Sequence, residues 1–468
     1  MKQPNILVFL TDDHGQWAAG CYGNSEIQSP SMDYLAKTGV RMARAFTPTP
    51  VCSPARASFF TGRLASQHGI HDWIFETTEP GSQHPGLVDQ TNIGHLLQDA
   101  GYQTGLIGKW HCGKSWTPQS GFDRWFSYGE RQYPHKGEIK FSDQGEIIDY
   151  TGFQTRAFTD RSIDFIRERD QTRPFFLTVG YVDTHGPFSQ HPERLVESYR
   201  DCSFQDIPNE TFSPCHGSIN AGWPKDPDQN REQLAQYYAA VTFIDQQMGR
   251  IIDELEGTGD LENTLVVYTA DHGLMTGHHG LNSKGNATIP QNFIDTSILV
   301  PCLFSWKDQI PAGQVHNQMV DHCDLFATLL DAADAVPDES KRQEINSPGE
   351  SYLPMLKGEN QAWRDAYFGE YGNARVARTD IRNFIKRYPG PSSQYHHEFY
   401  DLEIDPRERE NRIHDTSYED EIETLSQRLD THFAKYELAG CSGKEISLVP
   451  KCNPGHSPWE KLGGLRWI

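Results

Sequence analysis

The sequence predicts an α/β protein: a mostly parallel central sheet flanked by helices, with a smaller C-terminal α+β subdomain of antiparallel strands and one helix. Three observations carry that prediction. Short apolar runs alternate with helix-period stretches as far as about residue 365, the order that right-handed crossovers impose on parallel strands. Titratable residues directly follow several of those runs, at what would be the carboxyl edge of an open sheet, where ligands bind. Beyond residue 365 the pattern shortens to strands and turns. The division is therefore placed at 1–365 and 366–468.

In chain order, "NILVFL" (5–10) is a buried strand that runs straight into "TDDHG". "SPSMDYLAKTGVRMARAF" opens a helix at Pro30 and Ser31, with Met32, Leu35 and Ala36 on one face. "TNIGHLLQDAGYQTGLIGKW" reads as a helix, a stop at Gly101 and a strand over 103–107. The order repeats as helix 159–169 and strand 175–182, then as helix 231–256 and strand 264–269. "VPCLFSW" (300–306) is a further strand, followed by a helix in "HCDLFATLLDAAD". Residues 112–150 and 184–229, rich in Gly, Pro, His and aromatics, read as long loops that wall a pocket. "DAYFGEYGNARVARTDIRNFIKR" and "HHEFYDLEIDPRERENRI" read as antiparallel strands. In "YEDEIETLSQRLDTHFAKYE", Ile422, Leu425, Leu429 and Phe433 form one helical face. Residues 440–468 read as an ordered tail.

The bulk properties narrow the function. The 468 residues, 36% apolar and 23% charged, suit a globular protein with an ample core. A net charge of −22 argues against nucleic acid and anionic membrane surfaces as partners. An anionic substrate would need local cations or a bound metal to reverse the field. No apolar run approaches the ~18 residues of a membrane helix, and "MKQPNILVFL" is too short for a secretory leader. The expectation is a cytoplasmic protein if Met1 is the native start, and otherwise a periplasmic or secreted one with its signal removed. The nine cysteines are scattered without a C-x-x-C pair, and the odd count leaves one outside any intrachain disulfides. Free thiols are expected, with Cys202–Cys215 and Cys441–Cys452 as the open alternatives.

"TPTPVCSPARASFFTGR" (47–63) concentrates the chemistry. Pro54 suits the first turn of a helix, which places Cys52 at its start and Arg56 one turn further. A helix start presents unpaired N–H groups and partial positive charge to an anion. Asp12 and Asp13, Lys109 and His111, Asp183 and His185, and Asp271 and His272 each follow a strand. Turn chemistry explains one or two such groups but not this density.

"CSPAR" followed by "TGR" resembles the sulfatase signature C-x-P-x-R-x4-T-G-R, and "GYQTGLIGKWH" (101–111) resembles the second sulfatase signature. "PNILVFLTDDHG" and "TLVVYTADHG" resemble the family's two metal-binding strands, and "YDLEIDPRERENRI" its C-terminal strand and turn. Over nearly its whole length the chain is similar to the type I, formylglycine-dependent sulfatases of the alkaline phosphatase superfamily. The resemblance implies an alkaline-phosphatase-like fold and hydrolysis of a sulfate ester. It also implies oxidation of Cys52 to formylglycine by a formylglycine-generating enzyme or an anaerobic maturase. One hydroxyl of the aldehyde hydrate would attack sulfur, and the other would later expel sulfate by re-forming the carbonyl.

The resemblance further implies one divalent cation held by Asp12, Asp13, Asp271, His272 and residue 52. Oxygen ligands favour Ca²⁺ or Mg²⁺. His272 stands where the commonest pattern has Asn, which brings Mn²⁺ or Zn²⁺ into range; Ca²⁺ is the favoured ion. Arg56, Lys109 and Lys284, the last in "HHGLNSKGN", would hold the hydrate and the sulfate oxygens. His111 would orient or deprotonate the hydrate, and His185 would protonate the departing alkoxide. Histidine at position 272 also fits phosphonate monoester and phosphodiester hydrolases of the superfamily. A third reading is a sulfated-glycan binding protein with an unmodified Cys52.

"ASQHGIHDW" (65–73) offers His68, His71, Asp72 and Trp73 for a sugar ring and its hydroxyls. Tyr133, His135, Lys136, His191 and His216 are further candidates, and loop packing is the competing reading for all of them. A carbohydrate sulfate ester is favoured over an aryl sulfate.

Overall fold

At the centre of the molecule lies β1 (Asn5–Thr11), with all seven residues buried. The computed structural model describes residues 3–77, 84–130, 134–208, 217–218, 226–389, 396–455 and 457–460. Within them α1 (Pro30–Thr38), β2 (Val40–Phe46), α2 (Cys52–Thr61), α3 (Ile93–Asp99) and β3 (Gln103–Gly108) follow β1. Next come β4 (Arg124–Tyr128), β5 (Lys136–Asp143), β6 (Glu146–Phe153), α4 (Gln154–Glu168), β7 (Phe175–Gly180), α5 (Pro227–Thr258) and β8 (Thr264–Ala270). The main sheet finishes with β9 (Cys302–Ser305) and β10 (Gln314–Asp321), before α6 (His322–Ala332).

Among the described residues the main sheet has eleven strands, and its centre runs β8–β1–β7–β3–β4, all parallel. Apolar residues alternate between its two faces, as the pleat requires. Ile6, Val8 and Leu10 pack with Phe59 and Phe60 of α2, Leu97 of α3 and Leu329 of α6. Leu7 and Phe9 pack with Leu35 of α1, Phe158 of α4 and Tyr237 of α5. The sheet is thus covered on both sides, and only the strand ends can open to a ligand.

Several elements differ from the sequence reading. Residues 112–150 are not one loop, because β4, parallel to β3, lies within them, as do β5 and much of β6, which extend the sheet in antiparallel fashion. Their signal was the alternation of exposed Lys136, Glu138 and Lys140 with buried Ile139 and Phe141. A two-residue turn at Gln144–Gly145, with φ of 51° and 90°, closes the β5–β6 hairpin as such a turn must. Strands β2 and β10 were hidden by their mixed polarity: "VRMARAF" buries Val40 and Met42 but leaves the arginines half-buried. The strand expected over 300–306 is β9, and it runs antiparallel to both β8 and β2. Helix α4 starts at Gln154 rather than at residue 159.

The chain then forms a separate antiparallel sheet of β11 (Ala366–Tyr371), β12 (Ala374–Thr379), β13 (Arg382–Arg387) and β14 (Glu398–Asp401). Helix α7 (Glu419–Ala434) seals one face with Leu425, Leu429 and Phe433 on Ala377, Phe384 and Phe399. The opposite face sets Tyr367, Tyr371 and Val376 against Phe46, Val51 and Met319, directly beside Cys52. Eight cysteines, including Cys202, Cys441 and Cys452, are free thiols, so the Cys441–Cys452 pairing is not formed. Cys215 lies outside the described residues. Among the described residues no helix is long and apolar enough to cross a membrane.

Candidate active site

Four neighbouring parallel strands deliver the site. Thr11 and Ala270 are in register, so Asp12 and Asp271 leave β1 and β8 side by side. Beyond β7 the chain reaches His185, and beyond β3 it reaches Lys109 and His111. Asp13 and His111 both hold φ of 55°, a left-handed backbone that costs roughly 1–3 kcal/mol and is typical of functional sites. The strand ends are laced together. Thr184 donates through its N–H to the Asp12 carbonyl at 2.9 Å and through its hydroxyl to the Asp13 carbonyl at 2.7 Å.

Cys52 is the first residue of α2 and is 2% exposed. Its Sγ lies 3.1 Å from Lys284 Nζ, 3.3 Å from His272 Nε2 and 3.4 Å from Asp12 Oδ1. Lys109 pairs with Asp12, and Lys284 with Asp13. Gly285 lets the Lys284 loop press onto the turn before Cys52, since a Cβ there would lie 2.4 Å from Pro50. Arg56 is placed differently from the expectation. Its Nε donates to Asp271 Oδ2 at 2.9 Å and its Nη1 to the Lys109 carbonyl at 3.0 Å, beneath the site rather than on the cleft lining.

The charges perturb one another strongly. Burial pushes the Cys52 thiol up, but Lys109, Lys284 and His272 outweigh it and hold the thiol well below its usual range. Burial and the Cys52 thiolate push Asp12 up, yet Lys109, His185 and Arg56 keep its carboxyl below the ordinary carboxylate range. Burial and the adjacent Asp12 raise Asp271 to about 7, against the pull of His272 and Arg56. Burial opposes a charged Lys284, but Asp13 and Cys52 lift its ammonium well above the usual range.

This donor set fits a divalent cation. Ligand atoms of Asp12, Asp13, Cys52 and His272 lie within 4.8 Å of one another, all buried. His272 Nδ1 faces the Gly273 carbonyl at 2.9 Å, which can only accept, so the proton sits on Nδ1. Burial opposes a charged ring, but Asp271, Cys52 and Asp13 raise His272 to about 9, so its Nε2 directs a second proton at Asp13 Oδ1 at 3.3 Å and at Cys52. Two carboxylates and a thiol gathered on this one buried nitrogen form a donor set in which a divalent cation would take the place of that proton. Asp271 stands at the edge: its Oδ1 is 3.5 Å from His272 Nε2 but already accepts the backbone N–H of Asp13 and of His272.

Above this floor opens a cleft of about 620 Å³, lined by Asp13, Cys52, Lys109, His111, His185 and Lys284 below and by Trp73, Glu76, Phe188, Asn282 and Asn286 around it. Of the expected sugar-binding residues that are described, only Trp73 reaches it. The His68 ring is buried against the Ser58 hydroxyl and the Ile70 amide. His71 Nε2 binds the Cys441 carbonyl, and Asp72 accepts from the Tyr371 and Ser457 hydroxyls. The C-terminal tail seals that segment, which is why its polar groups point away from the cleft. His135 and His191 meet each other at Asp183, off the cleft lining, and exposed Lys136 lies over the Phe153 ring. Tyr133 and His216 lie outside the described residues.

Glu76, Phe188, Asn282 and Asn286 were not expected. Glu76 accepts from Ser115 Oγ at 2.6 Å. The Oδ1 atoms of Asn282 and Asn286 are buried without a hydrogen-bond partner among the described residues. Both asparagines lie two residues from Lys284, which is the signal that placed them on the same loop.

The family model described as Sulfatase matches residues 4–335, and that described as N-sulphoglucosamine sulphohydrolase, C-terminal, matches residues 291–435. An N-acetylglucosamine-6-O-sulfatase of Bacteroides thetaiotaomicron is 26% identical over 96% of this chain and 89% of its own length. A solved structure in complex with its substrate, D-glucosamine-2-N,6-O-disulfate, aligns with a TM-score of 0.78 at 24% identity, over 93% of this chain and 98% of its own. The phosphonate monoester hydrolase of Agrobacterium radiobacter aligns with a TM-score of 0.73 at 20% identity, over 94% and 97%.

Proposed function

The chain belongs to the sulfatase family of sulfuric ester hydrolases, and from that premise we propose that it cleaves a sulfate ester of a carbohydrate, with residue 52 acting as a formylglycine hydrate. The observation that carries this reading is the setting of Cys52: a helix start, two lysines, an imidazole and a carboxylate converge on one buried atom. Lys109 and Lys284, facing the cleft, hold the sulfate oxygens and the hydrate. His111 orients the attacking hydroxyl. His185, half-buried at the cleft, hands a proton to the leaving alkoxide. Arg56 acts through Asp271 and Lys109, holding two strand ends in place. Asp12, Asp13, Asp271 and His272 hold a divalent cation, Ca²⁺ by preference, which when bound supplies positive charge that acidifies the hydrate and offsets the sulfate. Maturation of Cys52 needs a formylglycine-generating partner or an anaerobic maturase. The catalytic unit is taken as 1–365, with 366–468 as its C-terminal subdomain.

The wall supports a sugar. Trp73 offers an aromatic face, while Glu76, Asn282 and Asn286 offer hydroxyl partners. A relative named for N-acetylglucosamine 6-O-sulfate, matched over nearly all of both chains, supports an amino-sugar sulfate. A phosphonate monoester or phosphodiester hydrolase is the second reading, favoured by the imidazole of His272; the fold is common to both.

The test uses protein whose formylglycine content is verified by peptide mass spectrometry. Sulfated N-acetylhexosamines, an aryl sulfate, a phosphonate monoester and a phosphodiester are compared by kcat/KM. The expected result favours a sulfated sugar by at least about 100-fold, ~2.7 kcal/mol of transition-state binding. A phosphonate or phosphodiester preferred by that margin would establish the second reading. Failure of residue 52 to mature in any host would leave only a glycan-binding protein.

A further inference from the structure

Beside the cleft, but not lining it, three ligating side chains converge on a second buried point. Asp183 lies just beyond β7, His135 just before β5, and His191 ahead of α5. The side chains of Asp183 and His135 are 1% exposed, and so is that of His191. Asp183 Oδ1 is 2.5 Å from His135 Nδ1 and 3.3 Å from His191 Nε2, and the two rings stand 4.7 Å apart.

Following the protons shows what is missing. Gln236 Nε2 donates to Glu232, so Gln236 Oε1 is an acceptor, and it receives His191 Nδ1 at 3.0 Å. The His191 proton therefore sits on Nδ1, and the Nε2 lone pair faces Asp183. On the other side Tyr128 donates to Gln154 Oε1, and Gln154 Nε2 lies 3.1 Å from His135 Nδ1. His135 Nδ1 is thus engaged on that side by Gln154 and Asp183. His135 Nε2 is buried with no hydrogen-bond partner among the described residues, which makes it the nitrogen free to ligate. Asp183 Oδ2 is already taken by the Thr155 hydroxyl. A buried carboxylate and two buried imidazoles, with Gln236 holding the far nitrogen of His191 and Thr155 the far oxygen of Asp183, gather the donors of a metal site.

We propose that Asp183, His135 and His191 bind a second divalent transition-metal ion, of the Zn²⁺ class, separate from the cation at Asp12 and Asp13. Tetrahedral zinc with bonds near 2.0–2.1 Å holds its ligand atoms about 3.3 Å apart, which matches the His191–Asp183 separation, while the 2.5 Å contact of His135 Nδ1 with Asp183 must give way to ligation through the unpartnered Nε2. Two nitrogens and one oxygen select a borderline metal over Ca²⁺ or Mg²⁺ and leave a fourth position for water. The ion is a positioning element. It ties the chain before β5 to the segment after β7, where Thr184 grips the Asp12 and Asp13 carbonyls and His185 enters the cleft.

Metal content decides the matter independently of turnover. The full chain is loaded with Zn²⁺, or in parallel with Co²⁺, dialysed, and analysed by elemental mass spectrometry. Wild type should retain two ions. His191→Gln and His135→Gln should each lose one, and Asp13→Asn should lose the other. Four-coordinate Co²⁺ absorption should persist in Asp13→Asn and vanish in His191→Gln. Should the histidine variants fail to fold, stepwise Co²⁺ titration of wild type still decides, because the proposal requires a second equivalent to bind. A single equivalent in wild type, lost in Asp13→Asn and kept in His191→Gln, overturns it and leaves the trio as a hydrogen-bonded network. That result would leave the sulfatase reading untouched.

Discussion

The floor and the wall of the cleft are built by different rules. Floor residues follow the central strands or open α2, apart from Lys284, which comes from a loop, and Asp12, Asp13, Arg56, Lys109, Asp271, His272 and Lys284 are all buried among opposite charges. Wall residues come from loops, and Trp73, Phe188, Asn282 and Asn286 are only half-buried. Removing one member of the floor strands a buried partner, a loss of about 3–5 kcal/mol when ion pairs are broken from one side. Removing a wall group forfeits about 1–3 kcal/mol of contact with the substrate. Chemistry and substrate choice are thus assigned to separate parts of the molecule, and substitutions can test that division.

The largest effect belongs to Cys52→Ala. It should lower sulfate release by at least about 10⁴-fold, the scale on which removal of a nucleophile is felt. Residue 52 is a helix-start position whose truncation leaves little space, so circular dichroism and thermal midpoint should change little. Activity within tenfold of wild type would remove the nucleophile from the mechanism.

Two residues of one loop sharpen the comparison. Lys284→Ala takes an ammonium from Cys52 and Asp13, and should cost roughly 10²–10³ in kcat. Asn286→Ala, two residues on, should raise KM about tenfold and leave kcat nearly constant. Equal losses of kcat in the two variants would erase the distinction between floor and wall. Trp73→Ala follows, with about a 10–100-fold loss of kcat/KM for a sulfated sugar and a much smaller one for an aryl sulfate. A loss shared equally by both substrates would mean that Trp73 supports the fold rather than the sugar.

The same division explains what could be read from the residues alone. The floor was legible because its groups sit at fixed offsets from buried strands and one helix start, and sheet order does the rest: β8, β1, β7 and β3 are neighbours. Arg56 is the exception. Its position was foreseen, but the bonds of its guanidinium depend on burial beneath Asp271 and Lys109. The wall was not legible, because facing the cleft is a tertiary property. His71, Asp72 and Trp73 are consecutive, yet two face the C-terminal tail and one faces the cleft. His135 and His191 carry ligating chemistry but lie 56 positions apart in the chain, and only the sheet brings both to Asp183.

The smallest predicted effect probes how the wall is held. The tail donates Ser457 Oγ to buried Asp72 at 2.7 Å and Asn453 Nδ2 to the Trp73 carbonyl at 3.1 Å, so it braces the residue that offers the sugar a face. Burial raises the Asp72 carboxyl above its ordinary value, and the Ser457 hydrogen bond works against that rise. A carboxyl raised on folding contributes most to stability below its unfolded value, near 3.9, and loses that contribution as pH climbs through the folded one. Ser457→Ala removes a bond to the ionised form, so its destabilisation should be about 1 kcal/mol at neutral pH and should shrink as Asp72 is protonated in acid. Denaturant unfolding of both proteins across that pH range measures the difference. Because the floor is untouched, kcat should stay within about threefold, with any change appearing in KM for the sugar. A destabilisation that is the same at every pH would mean that Ser457 acts by packing, and that Asp72 is neutral throughout.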